Sequence, residues 1–387
     1  MSHTLPRASA GGTPDVLVVG GGTAGNGITV LLRKAGIEVE LVESRADWNV
    51  RGSGITTQGN ALRVLREIGV WEEVQKHGFG FDDLGITAPD GTVVHVDAHH
   101  RTGGPDLPAV VGMRRADLQH ILTRAVRRSG ARVRCGTTVQ GIEQDAAGVD
   151  VTFSDGSTGR YDLVVAADGV NSPTRAMIGI TERPEPVGMG IWRVSAPRPA
   201  GVRRTDLTYG GSCYIAGYCP TGPDSLYAYL VEPQRDRASL DPGGYAEEMR
   251  RLAEPYGGAW DEIRPSITDP EKVNYTWFTR HLVEGAWHRG RVVLIGDAAH
   301  SCPPTLAQGA AMSLEDALVL AELLGNHGDG SHWDDALLTT YYERRVPRVR
   351  LVVEGAVQIC RWQLDGVSDA DVPGLIDRTM TTLTELP

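Results

Sequence analysis

The sequence predicts an α/β protein. A discontinuous domain on a parallel sheet is interrupted by an inserted, mostly antiparallel sheet and closed by C-terminal helices. Three observations carry this reading. A buried strand, a glycine turn, a helix and a second strand follow one another between Asp15 and Val42, the order of a right-handed crossover in a parallel sheet. From about 186 to 280 short alternating runs rich in Tyr and Trp stand between Gly and Pro residues, the texture of antiparallel strands. Val292–Ile295 (VVLI) then returns to a continuous apolar strand, and two helical stretches follow.

In order, Asp15–Val19 (DVLVV) is a short buried strand. Gly20–Gly22 turns the chain into a helix over Ala24–Ala35, which Gly36 stops, and Glu38–Val42 is the second strand. A further helix fits Asn60–Gly69. Leu84–Val96 reads as a hairpin about Pro89-Asp90-Gly91. Asp117–Ser129 is amphipathic and helical. Val149–Phe153 and Tyr161–Ala166 are strands, and helices are expected around Ala310–Leu324 and Asp334–Leu364. The division is a flexible tail (1–13), a first domain (14–80, 110–180 and 285–330), an inserted domain (81–109 and 181–284) and a C-terminal helical segment (331–387).

The composition is that of a globular protein: 387 residues, 41% hydrophobic and 22% charged. With 38 Lys+Arg against 49 Asp+Glu the net charge is -11. Such a chain repels phosphate backbones, and no basic stripe offsets this, so nucleic acid is not an expected partner. No run of eighteen apolar residues suits a membrane span. Met1–Thr13 lacks the apolar core of a secretory signal. The five Cys include no C-x-x-C pair and read as reduced thiols, which points to the cytoplasm. His95, Asp97 and His99 share a strand face, either as metal ligands or as a polar surface. No H-E-x-x-H supports a metal, and none is expected. Gly210-Gly211-Ser212-Cys213 is followed by Tyr214, so no nucleophile elbow exists.

The motifs carry the chemistry. Gly20-x-Gly22-x-x-Gly25 sits between strand and helix. Gly20 permits a tight turn, Gly22 lets the backbone approach a pyrophosphate, and Gly25 allows close helix–strand packing. The helix N-terminus offers free N–H groups and a positive dipole end to phosphates. Glu43, at the end of the second strand, suits a ribose diol. This is a Rossmann-like site for an adenine dinucleotide, and the motif alone does not separate NAD from FAD. Gly296-Asp297-Ala298-Ala299-His300 follows VVLI, Pro303 to Gly309 follows that, and a helix continues through Glu315-Asp316-Ala317. A carboxylate at a strand end suits a ribityl hydroxyl. A helix N-terminus soon after suits a flavin edge that gains negative charge on reduction. Asp168-Gly169, with Arg175 nearby, closes a third strand.

In this order the three motifs resemble those of the class A flavoprotein monooxygenases, the para-hydroxybenzoate hydroxylase type. That family's usual run is GDAAH, a Pro, GQG and EDA. Here Ala307 stands in place of the first Gly of GQG. Gly52-Ser53-Gly54-Ile55 with Gln58-Gly59 is similar to the family's flavin-contacting segment. Arg115-Ala116-Asp117-Leu118 is similar to its cofactor-contacting Arg motif, and Tyr342-Glu343 with Arg345, Pro347 and Arg348 to its closing helix. The resemblance implies a Rossmann-like FAD-binding domain. FAD would be held by Gly20, Gly22, Thr23, Ala24, Gly25, Glu43, Ser44, Arg51, Ser53, Gly54, Arg115, Val139, Asp168, Gly169, Gly296, Asp297, Ala307, Gln308, Gly309 and Ala310. It also implies an activity. NADPH or NADH reduces the flavin, molecular oxygen adds to it, and a C4a-hydroperoxide hydroxylates a small aromatic or heteroaromatic substrate, shielded from water. No second G-x-G-x-x-G is present, so the nicotinamide has no Rossmann domain of its own.

The inserted sheet should face the flavin ring, which makes Tyr209, Tyr218, Tyr229 and Trp192 substrate-pocket candidates, although aromatics also favour strands for packing alone. Pro303 and Pro304 lie in the loop that lines the ring pocket in the family. Arg193 either attracts an acidic substrate or pairs with a surface acid. Cys302 reads as a buried thiol, and His300 as a support rather than a base. The alternatives are another flavin oxidase or reductase on this fold, and a ligand-binding protein without turnover. A flavin halogenase lacks its W-x-W-x-I-P run here, and a disulfide reductase its C-x4-C pair. Oligomeric state is not legible.

Overall fold

A computed structural model describes residues 15–49, 52–327 and 333–387. The expected tail 1–13 lies outside these residues. The central sheet runs in the order His288–Arg289, Val292–Leu294, Leu163–Ala166, Asp15–Val19, Glu38–Glu43, Arg132–Cys135. It is parallel except at the His288–Arg289 edge.

The first strand shows why the chain folds this way. Its apolar residues serve both faces. Val16 and Val18 join the large core beneath the helices Thr23–Lys34, Arg115–Arg128 and Gly309–Gly325. Leu17 and Val19 face a second core closed by a small sheet of Val139–Asp145, Gly148–Phe153 and Thr158–Tyr161. A strand buried on both sides needs this unbroken aliphatic run.

The helices stand within a residue or two of expectation: Thr23–Lys34, Gly59–Ile68, Arg115–Arg128, Gly309–Gly325 and Asp335–Leu364. Gly69 ends the second in the left-handed region (φ 88°), and Asp334 caps the last by accepting from the Leu337 N–H at 3.1 Å. Another helix, Val372–Thr384, follows. One expected strand, Tyr161–Ala166, is two. Thr158–Tyr161 belongs to the small sheet and Leu163–Ala166 to the central one. The chain crosses between them at Asp162, whose carboxylate accepts from the Asp15 N–H at 2.8 Å.

The second large sheet has eight strands: His300–Ser301, Asn274–Leu282, Glu185–Pro197, Ser225–Pro233, Ile215–Pro220, Thr205–Tyr209, Asp83–Thr87 and Val93–Ala98. All its pairs are antiparallel except Thr205–Tyr209 with Asp83–Thr87. The expected hairpin therefore forms its far edge, and Gly91 turns it at φ +88°. Helices Tyr245–Ala253 and Trp260–Ser266 cover the back of this sheet. Their core takes Trp192, Val194, Ala216, Tyr218, Ala228 and Leu230. Strand alternation turns Arg193, Gly217, Tyr227 and Tyr229 to the front.

Candidate active site

Leu163–Ala166 lies between Asp15–Val19 and Val292–Leu294, and the three run parallel. Their following loops, Gly20–Gly25, Asp168–Gly169 and Gly296–Asp297, therefore emerge side by side at the carboxyl ends of neighbouring strands. Open α/β sheets bind ligands at this place.

Each glycine of the first loop has a distinct geometric reason. Gly20 has φ +101°, and a Cβ there would lie 2.5 Å from the Ala167 carbonyl oxygen. A Cβ on Gly25 would lie 1.8 Å from the Gly20 carbonyl oxygen. Gly22 meets nothing within 4 Å. It caps the helix Thr23–Lys34 without a side-chain hydrogen bond, so the first N–H groups of the helix remain available to an anion. Three donors hold the loop by the Gly21 carbonyl: Asn26 Nδ2 at 2.8 Å, Gln119 Nε2 at 2.8 Å and Trp48 Nε1 at 3.0 Å. Glu43 accepts from the Gly21 N–H at 2.8 Å and, with its other oxygen, from the Arg45 N–H at 2.8 Å. Ser44 is exposed, and its hydroxyl donates to Glu43 at 3.1 Å.

The other two loops are tied together. Asp168 accepts from the Ser172 hydroxyl and, at 3.0 Å, from the Thr174 N–H. Arg175 donates to the Val170 carbonyl at 3.0 Å and to the Ala298 carbonyl at 2.9 Å. The Gly296 N–H donates to Asp316 at 2.8 Å. A Cβ on Gly296 would press on Ser313 and Ala24 at 2.8 and 3.0 Å, so this loop also packs on the first helix. Beneath it Asp316 accepts from His300 (2.6 Å) and Arg345 (2.8 Å), while Glu315 accepts from Arg345, Arg348 and Asn60. Burial alone would raise both carboxyls. The cations and donors around them outweigh it and hold both below the usual range. His300 is thus a support for Asp316.

Not every expected cofactor residue offers its side chain. Gln308 is fully buried: its carbonyl oxygen accepts from Asn60 at 3.1 Å, and its amide lies 3.5 Å from the Met380 sulfur. Val139 is buried in the core under the small sheet. Both present only backbone. Ala307 takes φ 52° and ψ 30°, so the left-handed turn expected of a glycine is kept by an alanine. Thr23, Ala24 and Ala310 stand in the first turns of their helices. Arg51 lies outside the described residues.

Ser53 Oγ is buried without a partner, and a Cβ on Gly22, Gly169 or Gly309 would meet only open space. An orphaned hydroxyl and three bare backbone stretches around the strand ends fit a long phosphate-bearing cofactor. Asp297, in the third loop, is accessible to water yet closely surrounded by protein, and burial raises its carboxyl despite His300 and Arg115. Arg115 lies over Gly52, where a Cβ would come 3.0 Å from its Cδ.

The front of the large sheet closes the site. The Tyr227 ring would touch a Cβ on Gly54 at 2.1 Å, and its hydroxyl is 3.1 Å from Thr56 Oγ1. The Tyr227 and Tyr229 rings lie 5.3 Å apart, tilted by 32° to each other. Burial raises both phenols and also Tyr209, and it pushes the Cys302 thiol up to about 12. Tyr209 is nevertheless 41% exposed, which places it on the wall of a cleft rather than in a core. Pro303 is buried and Pro304 exposed. Trp192 and Tyr218 are corrections. Both lie on the helix-covered face, with Trp192 Nε1 donating to Glu232 at 2.6 Å and Tyr218 donating to Asp206 at 2.8 Å. The pleat puts them behind the sheet, away from the loops. Tyr227 was missed, although it stands two residues from Tyr229 and therefore shares its face. Trp48 and Gln119 were also missed, since neither belongs to a local motif. His95 and Asp97 pair with each other at 2.7 Å, and no group of three metal-ligating side chains occurs among the described residues.

The family described as FAD binding domain matches residues 13–356. The chain belongs to this family. The flavoprotein is 32% identical, over 80% of its chain and 80% of the relative's, to a 2-heptyl-3-hydroxy-4(1H)-quinolone synthase of Pseudomonas aeruginosa (strain UCBPP-PA14). It is 29% identical, over 96% of its chain and 94% of the relative's, to the 3-amino-4-hydroxybenzoate 2-monooxygenase PtmB3 of Streptomyces platensis. Its fold matches the crystal structure of Klebsiella pneumoniae HpxO complexed with FAD and uric acid at a TM-score of 0.81 and 23% identity, covering 97% of this chain and 94% of that one. Family and relatives bear out the resemblance to the class A flavoprotein monooxygenases, with FAD as cofactor. No helix among the described residues is long and apolar enough to cross a membrane.

Proposed function

We propose that this flavoprotein monooxygenase uses NADPH or NADH to hydroxylate a small aromatic or heteroaromatic compound in the cytoplasm, where its free thiols stay reduced. The single observation behind this reading is the cleft. Three strand-end loops fit for FAD face a sheet surface of neighbouring phenols, and Arg115 lies within electrostatic reach of both Asp297 and Tyr227. When bound, FAD supplies electron transfer from the nicotinamide and activation of molecular oxygen. The chain's own residues bind, orient and exclude water. The Gly22 backbone and the helix N-terminus receive the pyrophosphate, Glu43 the ribose, and Asp297 the ribityl chain. The Gly309 backbone, open at the start of its helix, would hold the flavin's pyrimidine edge. Tyr209, Tyr227 and Tyr229 present ring faces to a flat substrate, and Pro303 with Cys302 narrows the opening.

The test is NAD(P)H oxidation by purified holoprotein against a panel of hydroxylated benzoates, pyridines and quinolones under labelled oxygen. The expected result is substrate-stimulated oxidation with one labelled oxygen atom in the product. Hydrogen peroxide as the only product would assign an oxidase. Binding without stimulated oxidation would assign a non-catalytic ligand carrier.

A further inference from the structure

Arg193 sits at the middle of the front face, opposite Tyr229 on one neighbouring strand and Asn274 on the other. Its flanking residues Trp192 and Val194 point into the core behind the sheet. Among the described residues its side chain makes one hydrogen bond, from Nη1 to Thr276 Oγ1 at 2.7 Å. Among the described residues no carboxylate stands within ion-pair distance of it, in a chain with 49 Asp+Glu. The other deeply placed arginines differ. Arg345 and Arg348 share Glu315, and Arg175 is spent on two carbonyls. The groups that act electrostatically on Arg193 are Tyr227, Tyr229 and a second cation, Arg115. Desolvation pulls its pKa down to about 10, which still leaves it charged at neutral pH. The side chain is partly accessible from the cleft, so most of its five donors remain free.

An enclosed guanidinium without a counter-ion is a burden on the fold unless an anion arrives to meet it. We propose that Arg193 is the specificity-determining residue of the substrate pocket, and that it selects aromatic acids by pairing with a ring carboxylate. The planar fork matches a carboxylate in two parallel hydrogen bonds, and Tyr227 and Tyr229 beside it stack the ring. A neutral ring of the same shape would leave the charge unmet. This rests on the reading of the cleft as a substrate site, and it chooses the acid over the uncharged heterocycle as the ligand class.

The experiment titrates FAD-loaded protein with benzoate against benzamide and with 3-amino-4-hydroxybenzoate against its carboxamide, following the flavin difference spectrum. Wild type is expected to bind at least one acid about tenfold or more tighter than its amide. In R193Q and R193M that ratio falls to near one, while FAD content and amide affinity stay unchanged. Ligand-free R193M is expected to melt no lower than wild type, because a cation without a partner has been replaced by an apolar chain of similar length. An acid-to-amide ratio that survives R193Q overturns the proposal, as does wild type that prefers no acid. Loss of FAD from both variants also overturns it, by making Arg193 a cofactor ligand. Acid binding without labelled oxygen in the product leaves Arg193 as the anion selector and removes only the hydroxylase reading.

Discussion

Gly25 and Gly22 of the first loop make separable predictions. In Gly25→Ala the new Cβ would sit 1.8 Å from the Gly20 carbonyl oxygen and 3.4 Å from the Ala167 Cβ. Both the helix and the strand end are backbone, so no side chain can swing aside. Restoring even a 3.0 Å contact requires the helix to retreat by 1.2 Å (3.0 − 1.8). Overpacking of this kind costs about 3 kcal/mol, or roughly 5–10 °C in Tm. The same retreat moves the helix N-terminus away from the phosphates. Gly22→Ala differs, because its φ of -81° suits alanine and its Cβ would meet no atom within 4 Å. The fold should lose under about 1 kcal/mol, the penalty of a poorer helix cap. The methyl group nevertheless stands where the phosphate approaches, and a lost charged hydrogen bond lowers FAD affinity about tenfold or more. Thermal unfolding of the apoprotein and FAD titration by fluorescence quenching separate the two effects. The reasoning is refuted if Gly25→Ala melts with wild type and holds FAD normally, or if Gly22→Ala binds FAD at full affinity.

Three further outcomes are expected. Arg345→Met leaves Glu315 and Asp316 buried with fewer partners and should lower stability by about 3–5 kcal/mol, measured by denaturant unfolding; a loss under about 1 kcal/mol would contradict the buried network. Because Glu315 and Asp316 titrate below their ordinary values of 4.5 and 3.8, their contribution is present above those values and lost as pH falls through the lower folded-state values. Tm should therefore drop on acidification below pH 4.5 and less so in Arg345→Met, and equal acid profiles would refute this. Ala307→Gly removes about 1 kcal/mol of left-handed strain, largely offset by a freer unfolded chain. Its Tm should stay level or rise by about 1–2 °C, and a fall beyond about 2 °C would mean that the Ala307 methyl makes a contact of its own.

The cofactor half was legible because its signals are local. Gly20, Gly22 and Gly25 declare a strand-to-helix turn within six residues, and VVLI before Gly296-Asp297 declares a second strand end. What lies between such ends is non-local and was legible only in part. Whether Trp192 or Arg193 faces the loops depends on which side of the sheet the helices Tyr245–Ala253 and Trp260–Ser266 cover, and aromatic residues are favoured on either side of a strand. Tyr218 was misplaced and Tyr227 missed for this one reason of register. Gln308 lay in the right loop, but its amide is turned inward by Asn60, a residue nearly two hundred and fifty positions away. Trp48 and Gln119 grip the Gly21 carbonyl from separate elements, and no spacing rule reaches that far.

The strand Val292–Leu294 fills a place beside Leu163–Ala166, and Arg348 on the long helix donates to the carbonyls of Leu383 and Glu385. During synthesis the first loop leaves the ribosome early, but its companion loop and the clasp that fixes it arrive only with the last quarter of the chain. Contacts spanning that much sequence close slowly. A nascent polypeptide cut short before these segments therefore carries an unfinished berth for the cofactor, so flavin capture is expected to wait until the companion strand and its clasp have docked.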